Sequence, residues 1–455
     1  MVVAQHRTGA VVRVARTSRR VLHRSLAGLA GGGLALAACG PQPGREGSRA
    51  EGRAVTLSWW GYPRLSGRDA TGGPGMTEQE WMDARAEELH ARFGNLTVQP
   101  TLLTWAEGRQ KTEVAFASDT APDLYHDSNP LLLKWALKNA LEPLKGQLET
   151  RDYLDIIVKG VSVKGTVYAF PWLLSTTGAV LNKTLVDEAG ATDMLPKAPD
   201  YGWVLDDYLE LARRLKRGDV WGTLNNTGGH GVFGWLQAFG GRVFSEDGKK
   251  CTLNSPECQE GWNFFLDLDT RYGVAPPRDE NTSSYWWGKR VAIMYGSPGL
   301  RRTRDNNVQA GQLVPPFELY PAQNPRHKRL ARRGWETAMD GFSIFKQSDE
   351  AKLKLALETA RFLTNADNSR MVKHANFYPA RTSLSDLYKG DEWMTAFGGF
   401  IQYAHPDFWH PYWVDIRNNH FNPLIPEVAK GTMAPKQALE EMTKAADRFL
   451  AENPI

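Results

Sequence analysis

The alternation of strand-like and helix-like segments from residue 54 onward most constrains the fold. Ala54-Val55-Thr56-Leu57-Ser58-Trp59 alternates apolar and polar positions and has the β-branched content of a strand. A loop rich in Gly and Pro runs through Gly75. Thr77 then opens a helix with Glu80 at capping-box spacing. Trp81, Leu89 and Phe93 share one face of that helix, and Gly94 ends it. Leu96 to Leu103 returns to strand character. Ala121 to Tyr125 is a shorter strand that runs out in His126-Asp127-Ser128-Asn129, and a helix follows from Pro130 to Ala140. Strands followed singly by helices predict an α/β architecture. Further helices are predicted from Ser255-Pro256 to Gly273, from Lys352 to Thr364 and from Pro435 to Leu450.

The first residues do not belong to that pattern. Arg7, Arg13, Arg16, Arg19, Arg20 and Arg24, with no acidic residue among them, precede an apolar small-residue stretch from Leu26 to Ala38. This stretch is too short for a membrane-spanning helix. A basic segment, a short apolar one and small residues before a cut describe a cleaved export signal over 1–38. Leu36-Ala37-Ala38-Cys39-Gly40 looks like a bacterial lipobox, whose thiol is lipidated and becomes the new N-terminus. Cys39 is therefore the expected lipidation site, anchoring the chain to the outer face of the cytoplasmic membrane. Ser18-Arg19-Arg20-Val21-Leu22 also resembles a twin-arginine signal, so both export routes stay open. Residues 39–52 read as a flexible tether. Outside the membrane there is no ATP or NAD supply, which argues against most intracellular chemistry.

The formal charge of +4 becomes −2 once the six arginines before Cys39 are removed, so no basic nucleic-acid surface is implied. Some 400 remaining residues are too many for one core and predict two domains. In an oxidising compartment Cys251 and Cys258 are candidates for a local disulfide; two free thiols are the alternative. Sixteen tryptophans make the chain aromatic-rich; many must be core, and some excess is expected in proteins whose rings stack on sugars. Gly229-His230-Gly231-Val232-Phe233-Gly234 matches GxGxxG formally, but a lone mid-chain match does not indicate a dinucleotide. No metal or cofactor is expected.

Gly165-Thr166-Val167-Tyr168-Ala169-Phe170-Pro171-Trp172 leads into Ala179-Val180-Leu181-Asn182-Lys183-Thr184-Leu185-Val186-Asp187-Glu188-Ala189-Gly190. This resembles the central segment of family 1 extracellular solute-binding proteins, the sugar-binding subunits of ABC importers. Ala121-Pro122-Asp123-Leu124, Phe239 to Phe244 with Thr252 to Glu257, Gly288 to Met294, Asp340 to Ile344 with Phe362-Leu363-Thr364, and Tyr378-Pro379-Ala380-Arg381 resemble further family motifs in the same order. The family's Trp after the segment at Gly288 is missing; Ser297-Pro298-Gly299-Leu300 stands there. The stretch His405 to His420 is richer in aromatics than the family pattern.

The resemblance implies a type II periplasmic-binding-protein (Venus flytrap) fold. It has two lobes, each a sheet flanked by helices, closing on a ligand held in the cleft between them. Lobe 1 is expected over 53–175 plus 339–390 and lobe 2 over 176–338 plus 391–455. The partners implied are a carbohydrate ligand, the permease subunits of an ABC transporter and the membrane through the lipid. The protein would be a monomer without catalytic activity. Other readings are an importer subunit for a glycerol-phosphate-type or other small polar solute, a secreted glycoside-active enzyme and an adhesion lipoprotein. Expected ligand contacts are Trp60 and Tyr62 at the end of the first strand, Asp127 after a second strand and Trp172 beside the first crossing between the lobes, expected near Leu174 to Gly178. Trp235 starts a helix facing the cleft, Tyr295 and Ser297 follow the strand at Gly288 to Met294, and Trp335 and Asp340 flank the second crossing, expected near Thr337 to Gly341. Arg381 either bonds ligand or braces a hinge, and Trp409 and Trp413 could replace the missing Trp.

Overall fold

The computed structural model describes residues 53–68, 74–224, 231–278, 283–330 and 337–455. Cys39, the signal, the tether and Trp335 lie outside the described residues, so the structure places none of them.

The principal elements are β1 (Val55–Gly61), α1 (Glu78–Phe93), β2 (Leu96–Leu102), α2 (Gly108–Ala117), β3 (Leu124–Ser128), α3 (Asn129–Leu137), β4 (Phe170–Thr176), β5 (Gly178–Asn182), β6 (Trp221–Thr223), α4 (Gly231–Ala238), α5 (Pro256–Thr270), β7 (Val291–Gly296), β8 (Leu319–Ala322), β9 (Thr337–Ile344), α6 (Glu350–Leu363), β10 (Tyr378–Pro379), α7 (Glu392–Phe400) and α8 (Pro435–Glu452). The α1 capping box forms as the sequence predicts. The Thr77 N–H donates to Glu80 Oε2 at 2.7 Å and the Glu80 N–H donates to Thr77 Oγ1 at 3.3 Å. Two donors that the first turn leaves without helical partners are satisfied in this way.

A six-stranded sheet has the order β10-β4-β9-β3-β1-β2, and a four-stranded sheet has the order β6-β7-β5-β8. β2 and β3 both run parallel to β1, while β9 runs antiparallel to β3 and to β4. Thr177 alone separates β4 from β5, so the chain leaves one sheet and enters the other within a single residue. The architecture is α/β and two-lobed, a sheet with its helices in each lobe.

Alternation along β1 sends Trp59 into the core and Trp60 to the opposite, half-buried face. Beneath the first sheet Trp59, Trp81, Trp172 and Phe342 pack together with almost no exposure. Trp172 reaches this core through a β-bulge. Asp340 pairs with Leu173 but Gly341 pairs with Pro171, which leaves Trp172 as the extra residue. A Cβ on Gly341 would lie 2.7 Å from the Phe170 carbonyl oxygen, so the bulge requires glycine there.

The cysteine pair corrects the disulfide expectation: Cys251 and Cys258 are both free and buried. Their sulfurs find different partners, Thr443 Oγ1 at 3.9 Å for Cys251 and the Arg242 carbonyl at 3.6 Å for Cys258. Burial pushes both thiols up to about 12. Neither should therefore react with a maleimide at pH 8 in the native protein, whereas both should label once it is denatured without reductant. Mass spectrometry of the labelled chain checks this.

Residues 405–417 fold over α3 and α4. His410 stacks on Phe244 with ring centroids 3.9 Å apart. Its Nδ1 accepts from the Tyr412 N–H at 3.1 Å, which leaves Nε2 to donate to the Gly248 carbonyl at 2.9 Å. Burial lowers this imidazole from 6.5 to about 4. A group with a depressed folded-state value stabilises the fold above its unfolded value and loses that stability as pH falls toward the folded one. Stability should thus drop between pH 6.5 and 4, by about 2 kcal/mol at pH 5 from this ring alone. Denaturant melts of the wild type and of His410→Gln at both pH values check it, since the variant lacks this part of the slope.

Candidate functional site

Three parallel strands end on one side of the six-stranded sheet, and the residues just beyond each of them build one cavity. Arg64 comes from the loop after β1. Trp105 lies beyond β2 and Arg109 sits in the first turn of α2. Ser128 ends β3, and Asn129 and Pro130 start α3. Ligands of α/β sheets gather at such carboxyl ends. The cavity holds about 340 Å3. Leu173, Ser175, Thr337, Ala338 and Asp340 also line it, as do Trp409, Trp413 and Arg417 of the C-terminal segment.

Its lining sets aromatic and charged side chains among small polar and apolar ones. Trp105 is 42% exposed, stacks on Tyr62 at 4.6 Å and carries the Arg64 guanidinium 4.4 Å above its ring. Arg64 pairs with Asp340, and His126 Nε2 lies 3.5 Å from the same carboxylate. Burial alone would raise the Asp340 carboxyl; the Arg64 charge and His126 outweigh it and hold the group below the usual range. Trp409 donates from Nε1 to the Thr337 carbonyl, which fixes its ring at the wall. Trp413 wedges edge-on against Phe233 at 5.2 Å, tying the cavity's C-terminal wall to α4.

The structure brings Asp340, Trp409 and Trp413 together here. Trp235 and Tyr295 meet at a second, smaller pocket beside the four-stranded sheet, with Tyr208, Thr223 and Asn324. The Tyr295 hydroxyl is 2.6 Å from Thr177 Oγ1, at the passage between the sheets.

Other expected contacts are corrected. Trp172 is 1% exposed and stacks on Trp81 in the core. Tyr62 has no exposed surface and supports Trp105 from beneath; burial first, and the Asp127 charge second, push its hydroxyl up to about 12. Asp127 does not stand beyond a strand end, because β3 continues to Ser128. Two residues after Tyr125 on the same side, it accepts from the Tyr125 hydroxyl at 2.6 Å and from the Ser128 N–H at 2.7 Å. Burial raises its carboxyl despite these bonds. Trp60 lies under the Lys111 ammonium, 4.8 Å from its ring, and Ser297 lies in a turn; neither lines the two cavities. Arg381 bonds Asp152 at 2.6 Å and the Thr364 carbonyl at 2.7 Å, so it braces structure.

Arg64, Trp105, Arg109, Asn129 and Arg417 are not singled out by the sequence. Trp105 carries the signal that points to Trp60, an aromatic at the end of a strand, and Arg417 lies in the aromatic-rich stretch from His405 to His420. The others carry no local signal.

Residues 84–397 match the family model of bacterial extracellular solute-binding proteins. A maltotriose-binding protein of Pyrococcus abyssi is 29% identical over 206 residues, 44% of this chain and 43% of that protein. A mannitol-binding protein of Pseudomonas aeruginosa is 29% identical over 167 residues, 35% of this chain and 36% of that protein. The matched region thus spans less than half the length of each relative. Among solved structures, the cyclic alpha-maltosyl-1,6-maltose binding protein from Arthrobacter globiformis superposes with a TM-score of 0.69 at 17% identity, covering 88% of this chain and 100% of that one. The Thermus thermophilus maltotriose binding protein gives 0.64 at 17% identity, covering 87% and 100%. Such identities speak to the fold, which agrees with the two sheets described above. With the family model covering most of the described chain, this protein belongs to the bacterial extracellular solute-binding proteins.

Proposed function

We propose that the chain captures a carbohydrate outside the cell and delivers it to the permease of an ABC importer. The observation that carries this is the cavity lined together by Trp105, Trp409, Trp413, Asp340 and three arginines. Aromatic faces suit the apolar faces of a pyranose, and the charged groups between them suit its hydroxyls. The maltotriose- and mannitol-binding relatives support the same ligand class. The lobes, 53–175 with 339–390 and 176–338 with 391–455, close on the ligand by contacts that exist only when they meet. Trp235 and Tyr295 add contacts from lobe 2, and lipid on Cys39 tethers the protein as a monomer at the membrane.

Binding suits this cavity better than hydrolysis. A glycosidase needs two carboxyl groups across the scissile bond. Asp340 is the one carboxylate among the described lining residues, and Arg64 already occupies it.

A thermal-shift screen of mono-, di- and oligosaccharides tests the proposal. A ligand at a hundredfold excess over Kd adds about 2.7 kcal/mol to the folded state. Trp105→Ala should weaken the ligand found by roughly 10- to 100-fold in calorimetry and leave the melting temperature of the free protein nearly unchanged. A screen in which no saccharide shifts the melt would sink the carbohydrate assignment.

A further inference from the structure

Three guanidiniums, on Arg64, Arg109 and Arg417, line the cavity against the single carboxylate of Asp340 among the described lining residues. That carboxylate is engaged by Arg64 and His126. Arg109 closes no ion pair and donates no side-chain hydrogen bond among the described residues, and its Nε is buried without a partner, while its charge acts at longer range on the buried Asp127 carboxyl. Arg109 is half-buried, and its guanidinium keeps donors that no described acceptor takes and that suit an anion in the cavity.

Two further features point at the same place. α3 begins on the cavity wall with Ser128, Asn129 and Pro130, and no side chain caps it. The positive end of its dipole therefore lies at the wall, with the Ser128 N–H already donating to Asp127 and Pro130 carrying no N–H. Asn129 has no exposed surface. Its Nδ2 donates to the Gly160 carbonyl at 3.1 Å, while its Oδ1 is buried with no partner. An orphaned acceptor calls for a donor such as a hydroxyl, which a sugar supplies.

We propose that the ligand is an acidic carbohydrate, a sugar bearing one carboxylate or phosphate. Its anion sits between Arg109, Arg417 and the first turn of α3, and its hydroxyls reach Asn129 and Asp340. The planar guanidinium of Arg109 can hold either anion through paired hydrogen bonds. The inference rests on the carbohydrate reading above and narrows it.

Calorimetry on the full chain tests it with galacturonate, digalacturonate and glucose 6-phosphate against galactose, glucose and maltotriose. At least one acidic sugar should bind about 10-fold or more tighter than its neutral parent, and its affinity should fall as salt rises. The carboxylate and phosphate arms tell the two sources apart. Arg109→Gln should bring acid and neutral parent to within about 3-fold of each other, with Arg109→Lys keeping part of the preference. Arg417→Gln provides a second variant should Arg109→Gln fold poorly. Neutral sugars binding as tightly as the acids, or Arg109→Gln weakening both equally, would overturn the inference and leave the carbohydrate reading standing. Binding of no sugar, neutral or acidic, would overturn both.

Discussion

Trp172→Ala should lower the stability of the protein by about 3–5 kcal/mol, the cost of deleting a large buried aromatic whose neighbours cannot collapse into the void. The ring stacks on Trp81 at 5.0 Å, meets the edge of His126 at 4.9 Å and leans on Phe342 at 5.4 Å. Trp81 in turn packs edge-on against Trp59, so the cavity would open at the centre of a continuous aromatic core. Trp172→Phe keeps part of the volume and removes an indole N–H that has no partner, so it should cost clearly less. Urea melts of the two variants give the stabilities, and calorimetry of Trp172→Phe separates the roles. A core residue leaves ligand affinity within about 3-fold of wild type, whereas a stacking contact would lose roughly 10-fold or more. The second outcome would restore Trp172 to the site and contradict its burial.

Trp172 marks where sequence information ends. Its neighbours in the chain are legible. The strand, the passage at Thr177 and the next strand agree with the residues that resemble the family, and α1 forms with the capping residues expected of it. Side-chain direction is not legible, because one bulge opposite Asp340 and Gly341 resets the alternation along β4. Asp127 differs from expectation for a related reason. A polar run after an apolar one reads as a strand end, yet Tyr125, Asp127 and Ser128 satisfy one another and the strand continues through them. The cavity itself joins residues 64, 105, 129, 340 and 417, which only the sheet order brings together. Periodicity within a segment carries no information about that order. Composition does carry the aromatic excess, and the stretch 405–417 that holds much of it forms a cavity wall.

Asp340→Ala should be as damaging to stability as the loss of Trp172, about 3–5 kcal/mol, by a different route. The substitution removes few atoms but takes from the Arg64 guanidinium, 17% exposed, and from the fully buried His126 the carboxylate that lies against both, leaving the more remote buried Glu78 as the carboxylate whose charge still acts on them. Breaking one side of a buried pair costs more than the pair contributes, because the remaining charge must be desolvated alone. The double variant Arg64→Met/Asp340→Leu should therefore recover most of the loss, since apolar groups of similar volume need no partner. Acid stability should respond as well. The Asp340 carboxyl is held below its ordinary value, so its contribution is complete above the unfolded carboxylate range and disappears as pH falls through the lower folded value. Asp340→Asn should flatten that acidic limb, which melts at pH 3 and pH 6 would detect. Ligand affinity distinguishes the site from its scaffold: the double variant regains the fold but lacks both the acceptor and one cation of the cavity, so it should remain unable to bind. Recovery of binding along with stability would mean that the pair serves the fold alone and that the ligand is held by the other residues of the cavity.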